Sequence, residues 1–176
     1  MTFGCDTPLT WNNQVEPSFR IVLYQPEIPA NTGNIGRLCV GCGAELHIIK
    51  PMRFILDDKH LKRAGLDYWD KLKLYMHDSL DDLVAKYPDN HIYFCTTKTN
   101  KKYTDRVFKR GDLFVFGPES RGIPEDILDH YQEWNITIPM TGDIRSINLA
   151  NSVSIILYEA WRQLSFQSEL TDSSPR

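Results

Sequence analysis

The chain has 176 residues, of which 41% are hydrophobic and 24% charged, with a net charge of −3. That length fits one domain with a core large enough to need neither disulfides nor a structural metal. No apolar run reaches membrane-spanning length, and the start, MTFGCDTPLTWNNQVEPSF, has neither the basic nor the apolar part of a secretory signal, so a cytoplasmic protein is expected.

A net negative chain offers no global field for nucleic acid, so any RNA surface must be local. Two basic stretches qualify. Residues 50–73 carry Lys50, Arg53, Lys59, Lys62, Arg63, Lys71 and Lys73 among four aspartates. Residues 98–110 carry Lys98, Lys101, Lys102, Arg106, Lys109 and Arg110 against Asp105 alone. The bland alternative for each is a solvated face.

Residues 1–19 lack apolar periodicity and contain Pro8 and Pro17, so they read as an N-terminal extension; 20–165 read as the domain and 166–176 as a polar tail. Strands are expected at Ile21–Tyr24, Leu46–Ile49, Lys73–Met76, Ile92–Cys95, Leu113–Phe116 and Trp134–Ile138. Helices are expected at Thr32–Cys42, Asp57–Ala64, Leu80–Lys86 and Glu125–His130. Apolar strands alternating with helices predict an α/β fold, a mostly parallel sheet covered on both faces. The last helix carries Val153, Ile156, Leu157, Ala160, Trp161 and Leu164 on one stripe, widened by Ile155 and Tyr158. Burial in its own domain would explain the stripe; packing against a second subunit explains its width better.

Cys39 and Cys42 have C-x-x-C spacing, but no second pair or histidine cluster completes a metal site. Buried thiols are the better reading, with a redox protein as the minor alternative; no metal is expected.

Ligands of open α/β sheets sit beyond the carboxyl ends of the strands. Three loops there are rich in Gly, Pro and polar residues: Gln25–Arg37, Gly117–Pro124 and Ile138–Asn148. Gly33-Asn-Ile-Gly36 lacks the full dinucleotide fingerprint, and the second strand ends in Lys50 where an acidic ribose ligand would stand. A nicotinamide site is therefore excluded. A helix start and turn glycines account for Gly33 and Gly36 but not for Asn31, Asn34 and Arg37 together.

N-x-G-N-I-G-R (31–37), F-G-P-E-S-R-G (116–122) and I-P-M…R-S-I-N-L-A-N (138–151) resemble the three motifs of the SpoU branch of SPOUT RNA methyltransferases. HIIKPM, RAGLDYW and YEAWRQ bring the chain closer to the TrmL (YibK-like) group, which methylates the wobble ribose of tRNA. The resemblance runs from about Ile21 to Leu164. It implies a six-stranded α/β domain with a C-terminal trefoil knot, working as a homodimer on tRNA with S-adenosylmethionine. Periodicity alone points instead to an unknotted Rossmann-like sheet.

By the same resemblance, Cys95, Gly117, Glu119, Ile138, Met140, Ser146 and Asn148 hold the cofactor, largely through main chain. Arg37 and Asn31 are the catalytic pair. Because a guanidinium stays protonated, Arg37 is expected to orient a phosphate or the attacking oxygen rather than act as base, with Asn31 fixing that geometry. The base is unassigned. Capping of the long helix is the alternative role for Ser146 and Asn148. Lys98, Lys101, Lys102 and Arg106 are the expected RNA contacts. The rival function is a knotted RNA- or nucleoside-binding module without transfer activity.

Overall fold

A computed structural model describes residues 16–56 and 68–167. Six strands form one fully parallel sheet: β1 (Arg20–Tyr24), β2 (Glu45–Ile49), β3 (Leu74–His77), β4 (Ile92–Cys95), β5 (Leu113–Phe116) and β6 (Asn135–Ile136), in the order β3-β2-β1-β5-β4-β6. The helices are α1 (Pro29–Cys42), α2 (Leu80–Lys86), α3 (Glu125–His130) and α4 (Leu149–Gln163). The helix expected at 57–64 lies outside the described residues.

Alternation along the strands separates two cores. Ile21, Leu23, Leu46, Ile48, Phe114 and Phe116 face one side, where Ile35 and Cys39 of α1 and Val153, Ile156 and Leu157 of α4 cover them. Val22, Ile49, Phe94, Leu113 and Val115 face the other, under Leu80, Leu83 and Leu128. Ser18 and Phe19 are already built in: Phe19 is fully buried, and the Ser18 hydroxyl donates to the Cys42 carbonyl at 2.8 Å. The chain runs from β1 outward to β2 on one side, while β5 returns on the other. The winding therefore reverses between β1 and β5, the switch point near whose carboxyl edge such folds leave a crevice.

Two elements differ from the sequence expectation by more than one residue at an end. Helix α1 starts three residues before Thr32, with Pro29 in its first turn and Ile28 as a cap residue lacking any side-chain cap bond. The expected strand 134–138 keeps only two regular residues. Beyond them Thr137 leaves β4 and bonds to the 101–103 segment, donating to the Lys101 carbonyl (2.8 Å) and accepting from the Tyr103 amide (3.0 Å).

Under α2 lies a buried polar chain. Glu45 accepts from Arg20 Nε (3.2 Å) and from His47 Nε2 (3.3 Å), and His47 Nδ1 stands 2.9 Å from His77 Nε2. With a carboxylate at one end, the tautomers follow: His47 donates to Glu45, and His77 donates to His47. Burial lowers the pKa of both imidazoles, that of His77 to about 4. Burial alone would raise Glu45, but the His47 hydrogen bond and the Arg20 charge outweigh it and hold the carboxyl below its ordinary value.

Folded His77 takes up a proton less readily than the unfolded chain, so the network's contribution is complete above the free histidine value of 6.5 and is lost as pH falls towards about 4. Urea midpoints measured across that window should decline with acidification in the wild type. His77→Gln should flatten the decline; an identical slope in the variant would show that the pair does not couple folding to protons.

Candidate active site

A cleft of about 450 Å³ opens beyond the carboxyl ends of β4, β5 and β6. Phe116, Ile136, Ile138, Leu149 and Ile156 give it an apolar part, and Asn31, Thr96, Glu119, Ser146 and Asn148 a polar one. Asn31, Cys95, Gly117, Glu119, Ile138, Met140, Ser146 and Asn148 all line it. The three sequence motifs, spread over residues 31–151, thus converge on one space.

What holds them together is a chain of directed hydrogen bonds. Asn148 precedes α4, and its Oδ1 accepts from the amides of Ala150 (2.8 Å) and Asn151 (3.2 Å), capping that helix. Its Nδ2 must then point away, and it donates to Asn31 Oδ1 at 3.1 Å. Asn31 in turn has only its Nδ2 left, which donates to Glu119 Oε1 at 3.2 Å. Glu119 also accepts from the amides of Glu27 (2.9 Å) and Ile28 (3.1 Å) at the start of α1. Helix α1 has no acidic residue in its first turn, so this distant carboxylate supplies both the cap and the negative charge that the helix end favours.

The clasp is doubled in reverse. Glu27 accepts from the Ser120 amide (3.0 Å) and hydroxyl (2.9 Å), and those bonds lower the Glu27 pKa. Each Pro-Glu loop therefore lends its carboxylate to the other's backbone. Sequence reasoning missed Glu27; the repeated Pro-Glu in Pro26-Glu27 and Pro118-Glu119 was the available signal.

Gly117 shows why that loop tolerates no side chain. A Cβ there would lie 2.3 Å from the Gly122 carbonyl carbon and 2.3 Å from the Ile123 nitrogen, because the loop closes on itself. Gly122 makes the turn with φ of 70°.

Arg37 is elsewhere. It is exposed, does not line the cleft, and sits with its guanidinium 5.8 Å from the Tyr68 ring centroid. Six residues of helix, about 9 Å, separate it from Asn31. Asn31 spends its amide on Glu119 and Asn148 and does not hold Arg37.

Of the expected RNA contacts, Lys98 borders the cleft and pairs with Glu125 at 2.7 Å. Lys101 bonds the Gln132 carbonyl and Glu133, both at 3.2 Å, and Arg106 bonds the Glu133 carbonyl. Lys102 is exposed. Burial raises the thiol pKa values of Cys39, Cys42 and Cys95, which disfavours the thiolate that redox or metal chemistry needs. Among the described residues no group of three or more His, Cys, Asp or Glu could hold a metal, and no helix is long and apolar enough to cross a membrane.

The family model described as SpoU rRNA Methylase matches residues 18–158. This chain belongs to that family. It is 48% identical over 149 residues to the tRNA (cytidine(34)-2'-O)-methyltransferase of Methylovorus glucosotrophus (strain SIP3-4), covering 84% of this chain and 97% of that protein. A crystal structure from Bacillus anthracis superposes with a TM-score of 0.83 at 41% identity, over 88% of this chain and 99% of that one. A second solved structure, whose description concerns 2-OH methylation of C/U34 on tRNA, gives a TM-score of 0.79 at 41% identity, over 86% and 99%.

Gly117→Ala should destabilise the fold by about 1–3 kcal/mol, as overpacking does, and abolish ligand binding in the cleft. Thermal unfolding with and without ligand measures both; an unchanged melting temperature would contradict the self-closing loop.

Proposed function

We propose that the protein transfers a methyl group from S-adenosylmethionine to the ribose 2'-hydroxyl of the wobble nucleotide, position 34, of tRNA. The observation that carries this reading is the convergence of all seven residues expected to hold the cofactor on one cleft, in a chain 48% identical to a protein named as such a methyltransferase.

The cleft fits such a donor. Its volume of about 450 Å³ lies within the range of small-molecule sites, roughly 300–1,000 Å³. Apolar walls suit an adenine ring, and the main chain at the strand ends Cys95 and Phe116 and at Ile138 can read the ring edge irrespective of side chain. Met140, Ser146 and Asn148 close the outer side. When bound, the donor supplies an electrophilic methyl carbon on a sulfonium centre.

The protein's own contribution is positioning and exclusion of water, since charge is lost rather than built at the donor. Asn31, Glu119 and Asn148 keep the three loops in register. Arg37, always protonated, orients a phosphate or the attacking oxygen and stabilises its developing negative charge. Because Arg37 lies outside its own cleft, we assign that role to a homodimer, in which one protomer presents Arg37 towards the cleft of its partner. Support comes from α4: Ile155 and Tyr158 are 37% and 46% exposed, and the buried Trp161 indole N–H lacks an acceptor among the described residues. Lys98, Lys101, Lys102 and Arg106 contact the RNA backbone, exchanging weak surface partners for phosphates. The path through 101–103, β6 and α4 is that of a trefoil knot in this reading.

Purified protein incubated with bulk tRNA and radiolabelled donor should leave label on the 2'-oxygen of nucleotide 34. Arg37→Ala should lower transfer by about 10²–10³-fold while donor binding persists. Arg37→Lys should recover little, since a point charge does not replace a planar fork. Recovery of most activity in the lysine variant would overturn the orienting role, and absence of label with the wild type would overturn the activity.

A further inference from the structure

A second, shallower cavity of about 360 Å³ lies across the Gly117–Pro124 loop from the donor cleft. Tyr24, Gln25, Ile123, Pro124 and Glu125 line it, and Lys98, Arg121, Gly122 and Ile123 are shared with the first. The two spaces therefore meet at a pair of cations. None of the sequence motifs for donor binding requires this cavity, and nothing in the donor-site geometry uses Tyr24 or Gln25.

Three features mark it as a built pocket. Gln25 is a non-glycine residue with φ of 49°, in the left-handed region, which is uncommon and is retained where the surroundings enforce it. Its backbone amide is fixed by the Ile49 carbonyl at 2.9 Å. Its side-chain oxygen accepts from Arg121 at 2.6 Å, which leaves its amide N–H groups available to a ligand and fixes the guanidinium with a neutral partner. Arg121 is exposed, and it feels Glu27 only at a distance. Lys98, by contrast, is matched by Glu125. The cavity thus combines a half-buried aromatic ring, apolar walls from Ile123 and Pro124, an amide and a net positive charge.

That combination suits an unstacked nucleotide: a base against an aromatic face, an amide to its edge and a guanidinium to its phosphate. The substrate reading creates the need for one. A ribose hydroxyl can reach a methyl donor inside a cleft only if its nucleotide is pulled out of the loop stack, and the adjoining nucleotide must then go somewhere. We propose that the Tyr24–Gln25–Arg121 cavity holds the nucleotide next in sequence to the methylated one, with Arg121 on the phosphate that joins them. This rests on the tRNA reading above.

The test uses the full chain and synthetic anticodon stem-loop RNAs, scored by fluorescence anisotropy in the absence of donor. One RNA is intact; two others lack only the base on the 5' or the 3' side of the target nucleotide. Loss of a stacked base costs about 1–3 kcal/mol, so one abasic RNA should bind roughly 5–150-fold more weakly and the other near normally. In Arg121→Gln, which is exposed and leaves the core untouched, the intact RNA should bind more weakly. In Tyr24→Leu the penalty for the missing base should shrink towards one. Should Tyr24→Leu fail to fold, the same shrinkage is read in Gln25→Ala. Equal binding of all three RNAs, or an undiminished abasic penalty in the pocket variants, would overturn the pocket. Methyl transfer by the wild type is measured in parallel. RNA binding with the predicted penalty but no transfer would sink the methyltransferase reading and leave the nucleotide pocket standing.

Discussion

The arrangement depends on the orientation of one amide. Asn148 must turn its oxygen to the first amides of α4, because a helix end cannot be left without acceptors. From that constraint every later direction follows. The Asn148 nitrogen faces Asn31, the Asn31 nitrogen faces Glu119, and Glu119 accepts from Asn31 and from two backbone amides of the α1 entry. Two helix N-termini from opposite ends of the chain are joined through three side chains, with the cleft beside them.

This explains why the site is assembled from loops yet can be rigid. Loops are usually the mobile part of a fold. Here the Gln25–Ile28 loop and the Gly117–Pro124 loop exchange carboxylates, Glu119 to one and Glu27 to the other, so neither can open alone. A transfer that relies on placing a weak nucleophile within reach of a carbon gains from such stiffness, because misplacement by about an ångström costs orders of magnitude in rate. The sheet below contributes by burying all of β5 and β1 from Arg20 to Leu23, which fixes where the loops begin.

Much of the architecture was legible in the sequence because it is locally encoded. Apolar runs such as Leu113–Phe116 are strands at the expected residues, and the Val153–Ile156–Leu157–Ala160 stripe is the buried face of α4. What escaped was non-local. The start of α1 was placed late because its cap comes from Glu119, 91 residues beyond Ile28, and not from a neighbouring side chain. β6 was read too long because its continuation pairs with 101–103 rather than with β4. That the three loops would meet was legible through their unusual composition, and they do line one cleft. The bonds between them were not: Asn31, expected to fix the geometry around Arg37, hydrogen-bonds Glu119 and Asn148, and the Tyr24–Gln25–Arg121 cavity exists only once two distant loops are set side by side.

The relay can be tested by reversing it. Asn148→Asp keeps the cap on α4 but replaces the donor facing Asn31 with an acceptor, forcing the Asn31 amide to flip and present its oxygen to Glu119. Glu119→Gln supplies a donor that matches the flipped amide, at the expense of one backbone bond to Ile28. Donor affinity by calorimetry should fall in each single variant, and the double variant should bind no worse than Glu119→Gln alone. Additive losses in the double variant, with both singles folded, would show that the three side chains do not act as one directed chain.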